Sequence, residues 1–158
     1  MTHRAAPAAT AVVLRSVCAV SLAVAAAHAL GLADAWWAAS TPFGVPDATL
    51  RGSLARGGLR MLGTVGGAAL GVLAGSILRL DGAMFVVLMT VSAWAGLYLA
   101  HTQRYSYAWV LGIVTFVMVV CEAWTARGQL MHFALERCAN VAVGILASLL
   151  VEGLWWMW

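Results

Sequence analysis

The sequence contains few charged residues and no run of basic residues. Only 9% of its 158 residues are Asp, Glu, Lys or Arg, against roughly 25% in a soluble domain. Lysine is absent, so all nine basic residues are arginines, and they stand singly along the chain. A basic run of the kind that binds nucleic acid is therefore missing. This scarcity of charge excludes an ordinary water-soluble domain, and we expect no nucleic-acid partner.

Cysteine is also scarce, and its spacing indicates no site. Cys18, Cys121 and Cys138 form no CxxC pair, so neither a zinc site nor a disulfide framework is indicated. One disulfide, between Cys121 and Cys138, stays open because both could lie near the same membrane face. The sequence contains no HExxH, no G-x-S-x-G and no glycine loop followed by Lys and Ser or Thr. These are the motifs of common catalytic and phosphate sites. We therefore expect no enzyme, no cofactor and no bound metal.

What the sequence has in abundance is apolar residues. They make up 63% of the chain, and the mean hydropathy is +0.92. A membrane-spanning helix needs about 20 apolar residues, and five stretches come close to that length: 11–33, 61–78, 83–100, 105–121 and 138–157. The first could pass for a signal peptide, but its apolar run is too long and more membrane sequence follows. We predict an all-α fold, a polytopic membrane helical bundle with five full transmembrane helices in one domain, residues 1–158.

A sixth apolar segment, residues 35–46, is too short to be a full span. Two prolines and a glycine interrupt it, which predicts a short broken or re-entrant helix. Broken membrane helices often line binding sites, because their backbone groups need polar partners. Trp36 and Thr41 therefore become candidate site residues. The alternative is a periplasmic loop that Trp36 and Trp37 anchor at the membrane surface.

The arginines indicate the orientation. If segment 35–46 crosses the membrane, there are six crossings, and six arginines fall on one side and three on the other. The six are Arg4, Arg15, Arg51, Arg56, Arg60 and Arg104, and the three are Arg79, Arg127 and Arg137. Without that crossing, the split is five against four. The positive-inside rule therefore favours six crossings with both termini in the cytoplasm.

The most informative stretch is residues 56–79, where glycine recurs at every fourth position. The glycines are Gly63, Gly67, Gly71 and Gly75. On a membrane helix this spacing makes a stripe without side chains, along which another helix can pack closely. Arg56, Arg60 and Thr64 share the same spacing on an adjacent face. The helix is thus predicted to pack along one side and to present cationic and hydroxyl groups along another. The alternative is that the glycines only pack and the arginines only anchor the helix end.

Other polar and aromatic residues have two interpretations each. His28 is the ionisable residue of the second half of the first span, and an intramembrane histidine can carry a proton; alternatively, it only bonds to a neighbouring helix. Tyr107 could stack on a substrate ring or anchor the membrane interface, where the tryptophans after Glu152 form an aromatic belt. We expect Glu122, Glu136 and Arg137 to form an outer ion-pair cluster of structural value.

These residues resemble a known family. Arg60-Met-Leu-Gly63-Thr64-Val-Gly-Gly67 resembles the R-x-x-G-T-x-x-G signature of the fusaric acid resistance family. That family belongs with the aromatic acid exporters and is distantly similar to the plant aluminium-activated malate channels. Weaker similarities follow in order at Tyr105-Ser-Tyr107-Ala and at Ala134-Leu-Glu-Arg137. The resemblance covers residues 12–155.

The resemblance implies a transporter of the bacterial inner membrane that exports small organic, above all aromatic, carboxylic acids. Two alternatives stay open: an organic-anion channel, and a membrane assembly subunit that does not transport. Family members usually carry a cytoplasmic domain after the six-helix block, and many carry two blocks. This sequence resembles one membrane half and ends at Trp158. Pairing as a homodimer, or with a partner chain, is therefore the expected completion.

The resemblance also implies what the binding site contains. An aromatic acid is an anion with a flat apolar body, so its site needs a cation, a hydrogen-bond donor and apolar walls. Arg60 is the candidate cation because a guanidinium can bind a carboxylate through two parallel hydrogen bonds. Thr64, one turn along, supplies a hydroxyl, and His28, Trp36, Thr41 and Tyr107 complete the set. Alternatively, Arg60 is an end anchor that reaches the lipid phosphates.

Overall fold

The computed structural model describes residues 5–47, 49–78, 81–125 and 129–157. Helices account for most of these residues, and none of them lies in a strand. The elements in chain order are α1 (Ala5–Ala29), a short 3-10 helix η1 (Ala35–Ser40), α2 (Leu50–Ile77), α3 (Gly82–Thr102), α4 (Ser106–Thr125) and α5 (Leu130–Met157). The five α-helices are long and apolar enough to cross a membrane. The predicted all-α membrane fold is confirmed.

The helices are longer than the apolar runs that predicted them. The polar residues before position 61 belong to α2, and most of residues 122–137, which lie between two predicted spans, belong to α4 and α5. With 28 residues each, α2 and α5 are about 42 Å long, whereas the hydrocarbon core is about 30 Å thick. Their ends can therefore extend into the headgroup region, where polar side chains stay hydrated and carry little energetic penalty. Arg4, Arg79, Arg127 and Trp158 lie outside the described residues.

The predicted broken segment is η1 and the turns after it. Six residues of 3-10 helix span about 12 Å, so η1 cannot cross the membrane by itself. The chain enters it through two residues in the left-handed region, Gly31 (φ 67°) and Asp34 (φ 51°). It leaves at Thr41, which is followed by turns around Pro42. That the segment completes a sixth crossing stays a prediction.

The chain divides into two compact units, and the expectation of a single domain stays a prediction. Unit 1 comprises Met1–Gly57 and Asn140–Trp158, and so holds α1, η1, the start of α2 and the second part of α5. Its core is built from small side chains: Ala23, Ala27, Ala38 and Ala147. Here α1 and α5 are antiparallel, since Arg15 lies over the Trp155 ring and the Asn140 side chain reaches the carbonyl of Ala33.

Unit 2 is Gly58–Ala139 and holds the rest of α2, all of α3 and α4, and the first part of α5. Helix α4 is antiparallel to α3, with Phe85 and Trp124 rings 5.1 Å apart at one end of the pair. It is parallel to α2, because successive glycines of α2 contact successive residues of α4. Cys121 and Cys138 belong to this unit, and both are free thiols, so the disulfide left open by the sequence is not formed.

Candidate functional site

The glycine stripe of α2 lies directly on α4. A Cβ added at Gly67 would collide with the carbonyl oxygen of Gly112, and one added at Gly63 would collide with that of Ala108. Further along, a Cβ on Gly71 or Gly75 would come within 2.8 Å of Val119 Cβ or 2.7 Å of Ala123 Cβ respectively. Only glycine allows two helix backbones to approach this closely. The stripe therefore fixes how α2 and α4 lie together within unit 2.

Three of the candidate site residues belong to unit 2. Arg60 is 8% exposed and Thr64 is 2% exposed, one turn apart on α2. Arg60 Nη1 donates to the hydroxyl of Tyr107, at the start of α4, over 3.5 Å, which is long for a hydrogen bond. Guanidinium, phenol and threonine hydroxyl are all donors that a carboxylate can accept from. The structure thus brings Arg60 and Tyr107 into contact and places Thr64 one turn further along.

An apolar cavity of about 470 Å³ lies between α2, α3 and α4 and is open on one side, where Leu62 and Leu70 are exposed. Its lining begins at Leu62 and Gly63 on α2 and at Ala108 on α4, immediately after Arg60 and Tyr107. It continues past glycines and apolar side chains. The further lining residues are Gly66, Gly67, Leu70, Ser92, Ala95, Gly96, Leu99, Trp109, Gly112, Ile113 and Phe116. Sequence reasoning missed this cavity because its lining comes from three helices, whose packing the spacing along one helix does not predict.

The other three candidates belong to unit 1 and differ in burial. Trp36 is exposed, stacks on Trp37 with ring centroids 4.0 Å apart and donates its indole N–H to Asp34. His28 is exposed in the last turn of α1. Thr41 is fully buried against Gly144, and its hydroxyl makes no hydrogen bond to the residues that the structure describes. Of these three side chains, that of Thr41 is the one buried in the interior of unit 1.

Sequence reasoning missed a buried polar row on α5. Asn140, Gly144, Ser148 and Glu152 follow one another at every fourth position, and all four are buried. Asn140 Nδ2 donates to the carbonyl of Ala33 at 3.0 Å, and the Ser148 hydroxyl donates to that of Gly144 at 2.8 Å. Asn140 Oδ1 and both carboxylate oxygens of Glu152 are buried without a hydrogen bond among the described residues. The four-residue spacing that drew attention to α2 would have revealed this row as well.

The expected outer ion-pair cluster is arranged differently around Arg137. Glu136 lies 3.5 Å from the ring of His132, one turn earlier on α5. Arg137 is buried and its Nη2 reaches the sulfur of Met118 on α4 at 3.2 Å. Arg137 is thus a second buried cation of unit 2, which the sequence had indicated only as an outer charge.

Comparison with protein families identifies the family of this chain. The model of the fusaric acid resistance protein family matches residues 10–157. The chain belongs to this family. Comparison with curated proteins and with solved structures found no match. The fusaric acid resistance family is one of membrane transporters rather than enzymes, and the five membrane-length helices agree with that class. The chain is therefore a multi-pass membrane protein of transporter type.

Proposed function

We propose that this protein exports small aromatic carboxylic acids across the bacterial inner membrane. The observation that carries the proposal is the buried Arg60 in contact with Tyr107 where the apolar cavity of unit 2 begins. The substrate class and the direction of transport are part of this proposal. They rest on family membership and on the chemistry of this site.

The cavity and the donors suit the two parts of an aromatic acid. A volume of about 470 Å³ lies within the range of small-molecule sites, roughly 300–1,000 Å³. The rings of Trp109 and Phe116 line it and can pack against a planar ring. A carboxylate at the Arg60 end would accept charge-assisted hydrogen bonds from the guanidinium. Thr64 adds a neutral donor one turn away.

The proposal includes an orientation and an assembly. With both termini in the cytoplasm, Arg60 lies near the cytoplasmic end of α2, so the substrate carboxylate is captured from the cytoplasm before export. Two copies, or one copy with a partner chain, complete the transport pathway as a homodimer or heterodimer in lipid. His28, Trp36 and Thr41 of unit 1 stay secondary candidates for substrate contact.

The test is Arg60→Lys, which keeps the charge but removes the planar fork of the guanidinium. Loss of a bidentate, charge-assisted contact is worth about 1.5–3 kcal/mol, or roughly 10- to 150-fold in apparent affinity. The measurement is flux of a labelled aromatic acid in proteoliposomes, with folding checked by size-exclusion chromatography. Arg104→Lys is the matched control, because Arg104 is exposed in the turn between α3 and α4.

Each result of this experiment decides something. Impaired flux in Arg60→Lys with normal flux in Arg104→Lys supports the site. Normal flux in a well-folded Arg60→Lys protein would make Arg60 a helix-end anchor. Flux that only follows the substrate gradient in the wild-type protein would favour an anion channel. A folded wild-type protein that moves no organic acid would favour the assembly subunit.

A further inference from the structure

Glu152 is a buried acid inside a membrane-length helix. Its side chain is 3% exposed, and neither carboxylate oxygen has a hydrogen-bond or ion-pair partner among the described residues. Burying an ionised carboxylate without a partner is strongly unfavourable. An intramembrane acid of this kind indicates function rather than packing. The buried site must therefore supply Glu152 with a proton, a cation or a movable basic side chain.

One basic side chain of the neighbouring helix α1, that of Arg15, stacks on a tryptophan near this end of α5. Arg15 of α1 places its guanidinium carbon 5.2 Å from the centre of the Trp155 ring, and Trp155 follows Glu152 by one turn of α5. Residues three apart on a helix are neighbours on its surface, so Arg15 lies close to the level of Glu152. The structure records no ion pair between them, and Arg15 Nε is itself buried without a hydrogen bond among the described residues. The two side chains thus lie on neighbouring helices at a similar level, and no ion pair joins them.

Among the residues of unit 1 that the structure describes, the other charged and titratable groups are engaged elsewhere or exposed. On α1 these are Cys18 and His28, both exposed. In the connections, Asp34 accepts from Trp36 and Asp47 pairs with Arg56 at 3.1 Å. Arg51 is exposed in the first turn of α2, and η1 carries no titratable side chain. None of these groups is bonded to Glu152.

We propose that Glu152 is a proton-binding site. One carboxylate oxygen accepts a proton from a hydronium ion: an O–H bond of the hydronium breaks, an O–H bond forms on Glu152, and the charge of the side chain goes from −1 to 0. When the guanidinium of Arg15 moves from Trp155 to the carboxylate, this O–H bond breaks and the proton passes to a water molecule, which leaves Glu152 ionised and paired with Arg15. A metal cation fits less well, because it needs several ligands and the described residues contain no group of three or more His, Cys, Asp or Glu that could hold one.

This assignment deepens the proposed function and, as far as coupling is concerned, rests on it. In the proposed exporter, proton binding at Glu152 inside the membrane couples proton movement to the export of the anion. It also moves the proton carrier from His28, which the sequence indicated, to Glu152. The binding step itself can be measured without any substrate, so the two proposals can fail separately.

The first measurement uses dicyclohexylcarbodiimide, which reacts with protonated carboxyl groups in apolar surroundings and leaves a stable adduct. Purified wild-type protein in lipid is treated over a range of pH, and the adduct is located by peptide mass spectrometry. We expect the label at Glu152, decreasing as the pH rises, and its loss in Glu152→Gln. Glu136→Gln is the matched control on the same helix, since Glu136 already faces His132, and Arg60→Lys should be labelled like the wild type.

The second measurement keeps the proposal falsifiable if the reagent cannot reach the site. Infrared difference spectra between high and low pH should contain the C=O stretch of a protonated carboxyl that is missing in Glu152→Gln and present in Glu136→Gln. With substrate, Glu152→Gln should keep anion exchange but lose at least tenfold of the accumulation driven by a pH gradient. Identical infrared spectra for wild type and Glu152→Gln would overturn the proposal, whatever the flux. Normal protonation without any organic-acid flux would overturn only the proposed function.

Discussion

Replacing Gly67 with alanine adds one methyl group at the closest approach of two helices in unit 2. The new Cβ would meet the carbonyl oxygen of Gly112 and lie 2.8 Å from its carbonyl carbon. Carbon atoms in van der Waals contact are about 3.5–4.0 Å apart, so α2 and α4 would have to separate by roughly 1 Å. A rigid backbone group cannot rotate out of the way as a flexible side chain can.

The expected cost follows from this separation. Overpacking of one methyl group typically costs about 1–3 kcal/mol. Alanine recovers up to about 1 kcal/mol through its helix propensity in water, and less in lipid, where the helix is kept in either case. We expect Gly67→Ala to lower the free energy of unfolding by about 1–2 kcal/mol. Gly66→Ala is the matched control, since a Cβ there has no atom within 4 Å; its effect should be neutral or stabilising, by up to about 1 kcal/mol.

The assay is reversible unfolding of purified protein in mixed micelles with increasing SDS, followed by far-ultraviolet circular dichroism. The two variants differ by one position and carry the same added methyl group, so composition and expression effects cancel. Gly67→Leu should show the same direction with a larger loss. Equal unfolding free energies for Gly66→Ala and Gly67→Ala would refute the packing argument, because the stripe would then face lipid.

Two further predictions concern unit 1 and assembly. Gly144→Ala should destabilise the protein by about 1–3 kcal/mol, because its Cβ would lie 2.7 Å from the carbonyl oxygen of Ala38; Gly153→Ala, where a Cβ has no atom within 4 Å, should not, and matching SDS unfolding curves would contradict this. Native mass spectrometry from several detergents and from lipid nanodiscs should show a dimer, and monomer under all conditions would remove the homodimer from the proposal.

The fold class could be predicted from the sequence because composition alone decides it. A chain with 63% apolar and 9% charged residues has one stable arrangement in lipid, a set of helices that satisfy their own backbone hydrogen bonds. The helix bounds were less predictable. Hydropathy marks where a helix enters the hydrocarbon, whereas the helix of residues Leu130–Met157 begins well before that point. Charged residues of α5 such as Glu136 therefore lay outside the predicted spans.

The site could be predicted only in part, because the sequence gives spacing along one helix but no pairing between helices. Arg60 and Thr64 share a face of α2 by their spacing, but the contact of Arg60 with Tyr107 depends on the parallel packing of α2 and α4. The cavity depends on that same packing. For Glu152, proximity to the tryptophans at the end of α5 suggested the membrane surface, whereas burial places its carboxylate inside unit 1.

In this protein, small and polar residues indicate the interior of each unit better than large apolar residues do. Leu62 and Leu70 of α2 are exposed because lipid solvates leucine as well as a protein core does, so no hydrophobic force drives them inward. The buried positions are instead glycines that permit close contact, such as Gly67, or polar groups that lipid cannot satisfy, such as Asn140 and Glu152. A row of such residues at every fourth position therefore marks the packed face of a helix. Within such a row, packing accounts for the glycines and hydrogen bonding for Ser148. Neither packing nor hydrogen bonding explains the carboxylate of Glu152. We therefore assign a ligand, the proton, to this member of the row.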